Sequence, residues 1–238
     1  MTELAELTKQ AQQFDVSLSA EQVEQFAVYE VLLLDWNSRM NLTAIREPEQ
    51  IRVRHFLDAL SCVPVVRDLN GRSLIDIGTG AGFPGLPLKI VYPEMQLTLV
   101  ESVQKKTLFL QAVVDELGLP DVRIVAERAE TLGQLPNYRE QYDWAVARAV
   151  AEMRVLVELL LPFCKVGGQV LAQKGDSAEG ETAVAANAIK VLGGQHSKTE
   201  SVQLPGREEK HFLVVIEKQK PTPRQYPRRV GMPAKRPL

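Results

Sequence analysis

The stretch Leu74-Ile75-Asp76-Ile77-Gly78-Thr79-Gly80-Ala81-Gly82-Phe83-Pro84-Gly85 constrains this chain more than any other. A short strand-like run passes directly into glycines at 78, 80 and 82, and an amphipathic segment follows at 86–91. Glycine lets a backbone turn sharply and approach a ligand with no Cβ in the way. Strand, glycine turn and helix together open a parallel α/β unit, and such sheets bind ligands at the carboxyl ends of their strands.

The chain beyond Ser73 repeats that alternation. Short apolar runs at 74–77, 97–100, 122–125, 144–147 and 169–172 read as buried strands. Helical patterns at 86–91, 103–117, 155–163 and 178–192 lie between them, the last bounded by Gly193-Gly194. A final strand falls at 212–216, with 195–204 as its candidate partner. The alternation predicts an α/β fold whose mainly parallel sheet is covered by helices on both faces.

Residues 1–70 read as helical. Ser19 and Gln22 form the pattern of a capping box, and Val23, Phe26, Ala27, Leu33 and Leu34 recur at helical spacing over 21–40. Asn41-Leu42-Thr43 breaks the pattern. Pro48 suits the first turn of a second helix carrying Ile51, His55 and Leu60. The expected organisation is a helical extension over 1–70, a core over 71–217 and a Pro-rich basic tail over 218–238.

That tail gives charge its meaning. The chain's formal net charge is −2, yet residues 218–238 hold seven Lys and Arg and no acid, which leaves the remainder at −9. An acidic body with a basic end is expected of a protein that meets a polyanion at one place. No apolar run is long enough to span a membrane, the start Met1-Thr2-Glu3-Leu4-Ala5-Glu6 lacks the character of a signal peptide, and the cytoplasm is the expected compartment. Two cysteines, 62 and 164, build no disulfide framework, and the three histidines show no metal-ligand spacing, so no metal is expected.

The glycine turn admits several ligands. A Walker loop needs Gly-Lys-Ser/Thr, which is absent. A dinucleotide fingerprint beginning at Gly78 needs glycine at 83, where Phe83 stands, although the shifted frame Gly80-x-Gly82-x-x-Gly85 satisfies it. Asp76, two residues before the first glycine, suits a ligand with a cationic amino group better than a pyrophosphate. Asp76-x-Gly78-x-Gly80-x-Gly82 resembles the first motif of class I S-adenosylmethionine-dependent methyltransferases, and Glu101 matches that fold's acid for the two ribose hydroxyls.

The resemblance narrows further. Trp36-Asn37 with Asn41-Leu42-Thr43, His55-Phe56-Leu57-Asp58, the glycine motif ending in Pro84-Gly85, Arg128-Ala129-Glu130, Ala147-Arg148-Ala149-Val150-Ala151 and the ending from Tyr226 to Leu238 resemble the RsmG (GidB) family of bacterial 16S ribosomal RNA guanine methyltransferases. The family implies a Rossmann-like, mostly parallel seven-stranded sheet with a helical N-terminal extension. It also implies S-adenosylmethionine as cofactor, and methylation of nitrogen 7 of a guanine in the 530 loop of 16S ribosomal RNA. Gly78, Phe83, Glu101, Ala129, Glu130 and Arg148 are the cofactor residues it implies. RNA contacts are expected from Arg224, Arg228, Arg229, Lys235 and Arg236, with 16S RNA or the small subunit as partner and a monomer as the working form.

The same segments bear on mechanism. The place after the fourth strand reads Ala147-Arg148-Ala149-Val150 rather than the Asn/Asp-Pro-Pro-aromatic motif common for exocyclic amines, and no cysteine lies in a candidate loop for attack on a pyrimidine carbon. Nitrogen 7 of guanine carries a free lone pair, so no general base is required and no catalytic residue is assigned. Arg148 is the candidate for orienting substrate or cofactor. Two other readings fit less of the chain. A dinucleotide-dependent oxidoreductase lacks a hydride-acceptor site, and a non-catalytic RNA-binding assembly protein leaves Asp76, Gly78 and Glu101 without a role.

Overall fold

The computed structural model describes residues 4–238; Met1-Thr2-Glu3, the start of the expected extension, lie outside the described residues. Among the described residues, five α-helices precede the first strand: α1 (Ala5–Ala11), α2 (Ala20–Met40), α3 (Pro48–Ile51), α4 (Asp58–Leu60) and α5 (Val63–Val66), with a 3-10 turn Gln12–Phe14 after α1. Ser19 caps α2 with a complete capping box, its Oγ accepting from Gln22 N at 3.2 Å while Ser19 N donates to Gln22 Oε1 at 2.9 Å. A π-helical turn, Arg52–Leu57, joins α3 to α4.

The strands are β1 (Ser73–Ile77), β2 (Gln96–Val100), β3 (Val122–Val125), β4 (Tyr142–Arg148), β5 (Cys164–Lys174), β6 (Gly194–Val202) and β7 (His211–Lys218). They form one sheet in the order β3-β2-β1-β4-β5-β7-β6. β1 to β5 pair in parallel, and β7 runs antiparallel between β5 and β6. The connecting helices are α6 (Gly85–Val91), α7 (Gln104–Glu116), α8 (Ala129–Leu132), α9 (Met153–Leu160), α10 (Ala178–Val184) and α11 (Ala186–Val191), and a last turn of helix, α12 (Met232–Lys235), lies in the tail.

Alternation along the strands feeds two cores, one on each face. Leu74, Leu97, Leu99, Val146 and Leu171 pack with α2, α6 and α7. Ile75, Ile77, Ala145, Val170 and Ile216 pack with α9 and α11. The N-terminal helices share the first core rather than forming their own. Phe26, Tyr29 and Phe56 are fully buried, with the Phe56 ring 5.1 Å from Phe26 and 5.2 Å from Tyr29. The Tyr29 hydroxyl donates to the Ala81 carbonyl, which ties the extension to the glycine turn itself.

Three details depart from the sequence pattern. The helix expected at 178–192 divides at Ala185 into α10 and α11. The strand expected at 169–172 starts five residues earlier, at Cys164. Gly167-Gly168 is not a break there, because the register shifts between Tyr142 and Trp144. A Cβ on Gly168 would stand 2.9 Å from the Asp143 and Lys165 carbonyl oxygens, so glycine is what lets the irregular ladder close.

The third departure is the tail. Lys218, counted with it, ends β7 and is buried, donating to the Leu161 carbonyl at 2.6 Å. The rest lies against the body. Arg139 donates to the carbonyls of Thr222 and Tyr226, each at 2.7 Å, and Gln134 Nε2 to that of Pro227 at 2.7 Å. The segment borrows donors from the body because prolines 221, 223, 227, 233 and 237 deny it a ladder of its own.

Candidate functional site

Two cavities open at the carboxyl ends of the parallel strands. The first, about 300 Å³, lies over β1 to β4; its walls are Ile77, Gly78, Val100, Ala129, Val150, Ala151 and the tail residues Val230, Gly231, Pro233 and Ala234, with Glu127, Arg128 and Glu130 at its edge. Gly78 holds φ +67, a region costly for other residues, and a Cβ there would come within 2.7 Å of Val150 Cγ2. The turn can therefore reach the cavity only as backbone. Glu101 closes the end of β2 and is nearly buried. Its Oε2 accepts from Gly80 N at 3.1 Å and its Oε1 from Val103 N at 2.8 Å, which aligns the carboxylate under the turn and leaves each oxygen a further lone pair.

Asp76 is fully buried beneath the same turn. Its Oδ2 accepts from Thr79 Oγ1 at 2.7 Å and Gly85 N at 2.9 Å, while Oδ1 has no partner. Burial raises its pKa to about 7, against the pull of those two hydrogen bonds. Asp76 therefore holds the turn closed with one oxygen and keeps the other uncommitted.

The second cavity, about 450 Å³, lies over β4 and β5 and is lined by charge: Arg54, Asp58, Arg148, Lys174, Glu181 and Arg207, with His55, Gln173 and His211. Arg148 Nη1 donates to Asp58 Oδ2 at 2.8 Å and to the Arg54 carbonyl at 3.0 Å, and Nη2 lies 3.1 Å from His55 Nδ1. His211 Nδ1 meets the other Asp58 oxygen at 2.9 Å. Burial would raise the Asp58 pKa, but the His211 hydrogen bond and the Arg148 guanidinium outweigh it and hold the carboxyl below its ordinary value. Burial first, then Arg148, lowers His55 to about 3, so the imidazole is neutral. Nδ1 lies between the Arg148 guanidinium and the Arg54 carbonyl, each at 3.1 Å, and Nε2 is 2.8 Å from Thr43 Oγ1.

The cavities meet at residues 148–151. Arg148 and Ala149 line the charged one, and Val150 and Ala151 the apolar one. Ala149 has φ +55. A left-handed conformation is strained for alanine, and it turns the chain from one cavity to the other.

Of the residues singled out in the sequence, Gly78, Ala129 and Glu130 line the apolar cavity, with Glu101 beside the turn. Phe83 is buried behind the turn instead. It stacks on His55 at 4.6 Å and Tyr29 at 5.5 Å, with the Arg148 guanidinium 4.9 Å above its ring. Arg148 belongs to the charged cavity, and its partner is Asp58 rather than a nearby acid of its own strand. Glu130 is engaged by the tail, its Oε1 accepting from Gly231 N at 3.0 Å.

Arg228 departs most from expectation. Its guanidinium and amide bind Glu158, a fully buried carboxylate, at 2.6–3.1 Å. A cation so committed fastens the tail; Arg224, Arg229, Lys235 and Arg236 remain exposed. His211 and Gln173 carried no signal in the sequence, and Asp58 stood only as the last residue of the family-like block His55-Phe56-Leu57-Asp58, with no role assigned.

The seven-stranded sheet with its reversed seventh strand is the fold of Rossmann-like methyltransferases. The 16S rRNA (adenine(1408)-N(1))-methyltransferase from Catenulisporales acidiphilia superposes with a TM-score of 0.53 at 16% identity, covering 64% of this chain and 90% of that one. A precorrin-6y C5,15-methyltransferase from Geobacter metallireducens GS-15 gives 0.51 at 14%, covering 68% and 86%. Within that class, residues 22–213 match the family model GidB, rRNA small subunit methyltransferase G, and the chain belongs to that family. Relatives called ribosomal RNA small subunit methyltransferase G include one from Roseiflexus castenholzii, 52% identical over 98% of this chain and 99% of its own. Another, from Alkaliphilus metalliredigens, is 49% identical over 95% of both.

Proposed function

We propose that this protein transfers a methyl group from S-adenosylmethionine to nitrogen 7 of a guanine in the 530 loop of 16S ribosomal RNA. Family membership supports the reaction class, and the observation that carries the cofactor is the apolar cavity. Gly78 in its wall excludes any Cβ, and its size falls at the lower end of small-molecule pockets; Asp76, buried under the same glycine turn with Oδ1 unpartnered, suits a turn that holds a cationic ligand.

When bound, the cofactor supplies an electrophilic methyl on a sulfonium. Gly78 offers backbone to it, Ala129 and Glu130 face its base, and the spare lone pairs of Glu101 suit a ribose diol. Phe83 backs the turn, and Arg148 orients the acceptor from the neighbouring cavity. No side chain needs to take a proton. His55 is neutral and spent on Thr43 and Arg148. Both cysteines are buried with raised pKa values, Cys164 to about 12, so neither serves as a nucleophile. Exposed Arg224, Arg229, Lys235 and Arg236 suit RNA phosphates. No described helix is long and apolar enough to cross a membrane; the proposed working form is a monomer in the cytoplasm.

The test is mass spectrometry of 16S RNA from a strain lacking this protein, with the single-turnover rate of the purified enzyme measured against pH. The expected result is loss of one 7-methylguanosine, and a rate nearly flat from about pH 6 to 9. A rising limb abolished by replacing one carboxylate or histidine would show a required deprotonation and exclude nitrogen 7.

A further inference from the structure

The charged cavity holds a group without an assignment. Gln173 is nearly buried, and its side chain shares a sheet face with Arg148, its register partner on β4. Nε2 donates to the Asp58 carbonyl at 3.0 Å, which only the nitrogen of the amide can do. Oε1 is therefore left as an acceptor, buried and with no partner in the structure. A buried amide oxygen without a donor is costly, and its presence in a cavity wall points to a ligand that brings one.

Three features describe that ligand. The cavity adjoins the apolar one at the strained Ala149, so whatever it holds lies next to the proposed cofactor. Arg148 pairs with Asp58, Lys174 with Glu181 and Arg207 with Glu209, and Arg54 in the same lining adds a further cation, which favours an anionic chain at the mouth. Two interior groups of this cavity are unpartnered, the acceptor Gln173 Oε1 and the donor Arg54 Nε, and the acceptor faces a ligand that brings an N–H. Guanine presents N–H donors at N1 and the 2-amino group, whereas adenine's donor is its 6-amino group, which lies beside N7. Guanine's N7 lies across the ring system from its donor edge, so a base held by that edge presents N7 outward.

Building on the proposed reaction, we propose that this cavity receives the target base turned out of the RNA stack, and that Gln173 Oε1 selects guanine by accepting from its N–H edge. Arg148, locked between Asp58, the Arg54 carbonyl and the Phe83 ring, is the positioning residue that keeps this wall in place.

The test compares 16S RNA carrying guanine at the target with the same RNA carrying purine riboside there, which keeps N7 and lacks both donors. The wild-type protein is expected to transfer methyl to the guanine RNA at least tenfold faster at subsaturating RNA. Gln173→Leu should lose at least tenfold on the guanine RNA, and its guanine-to-purine ratio should fall towards one, with S-adenosylhomocysteine affinity unchanged. A wild-type enzyme indifferent to the two RNAs, or a folded Gln173→Leu that keeps the full ratio, overturns the assignment. If Gln173→Leu does not fold, Gln173→Glu, which keeps an acceptor oxygen, should retain the guanine preference, and its loss would overturn the assignment. No transfer by the wild type to the guanine RNA would instead overturn the functional reading beneath it.

Discussion

The two cavities at the top of the sheet share a border of four residues and little else. The apolar one is built around a continuous turn, and its key contacts are backbone: Gly78 against Val150, and Gly231 N on Glu130. The charged one is built from residues at 54–58, 148, 173–174 and 211, which converge on Asp58: Arg148 and His211 on its carboxylate and Gln173 on its carbonyl. Close backbone approach demands glycine, which a sequence displays. A buried ion pair demands only that its partners meet in space. The difference separates two tasks: holding a cofactor by shape, and placing a second reactant by directional polar contacts.

Breaking the apolar cavity alone gives the largest expected effect. Deleting residues 224–238 removes the wall formed by Val230, Gly231, Pro233 and Ala234 and leaves Glu158 buried without Arg228, a loss of roughly 3–5 kcal/mol. S-adenosylhomocysteine binding by calorimetry should fall beyond detection, and the melting temperature should drop. The slope of log RNA affinity against log salt should flatten by about one for each exposed cation that had met a phosphate. Cofactor affinity that survives the deletion would show that the tail is no part of the site.

Breaking the charged cavity alone should separate binding from transfer. Asp58→Asn leaves Arg148 and His211 without their anion. Single-turnover transfer is expected to fall by about 100-fold through misplacement of the acceptor, while cofactor affinity moves little. Parallel losses in both would merge the two cavities into one site.

Asp76 sharpens the comparison through pH. Its folded pKa, about 7, lies above the ordinary value of 3.8, so the folded protein holds the proton more tightly than the unfolded chain. The stability this adds is fully present below about pH 4 and is lost as pH rises through about 7. Asp76→Asn has no such dependence, so its stability relative to wild type should improve between pH 5 and 8, by at most ~3 kcal/mol. Urea denaturation at the two pH values measures this; a difference independent of pH would mean that Asp76 is ionised throughout.

The smallest effect is expected at Glu130. Glu130→Gln keeps an oxygen for Gly231 N and removes one charge from the cavity rim. It should weaken cofactor affinity a few-fold and leave the saturated rate nearly unchanged, as isothermal titration and single-turnover assays would show. A slower saturated rate with normal affinity would move Glu130 to the reacting centre.

The strand order along the chain, the capped α2 and the glycine turn were legible because each rests on a local pattern: a period of two, a period of 3.6, or a run of glycines. The binding character of 78–85 was legible for the same reason. Other features were not. Gly167-Gly168 carries the same letters whether it breaks a strand or fits an irregular ladder against the carbonyl oxygens of 142 and 143. The tail reads as free basic chain until Arg139, Gln134 and Glu158 are seen to hold it. By itself the sequence determined the sheet, the helices over it and the turn that faces a ligand, because those depend on neighbours a few positions apart. Only the tertiary structure decided that Arg148 answers to Asp58, that Arg228 is a fastener and that Gln173 keeps a free acceptor. Each of these depends on a partner 70 to 115 residues away, and no local period encodes that distance.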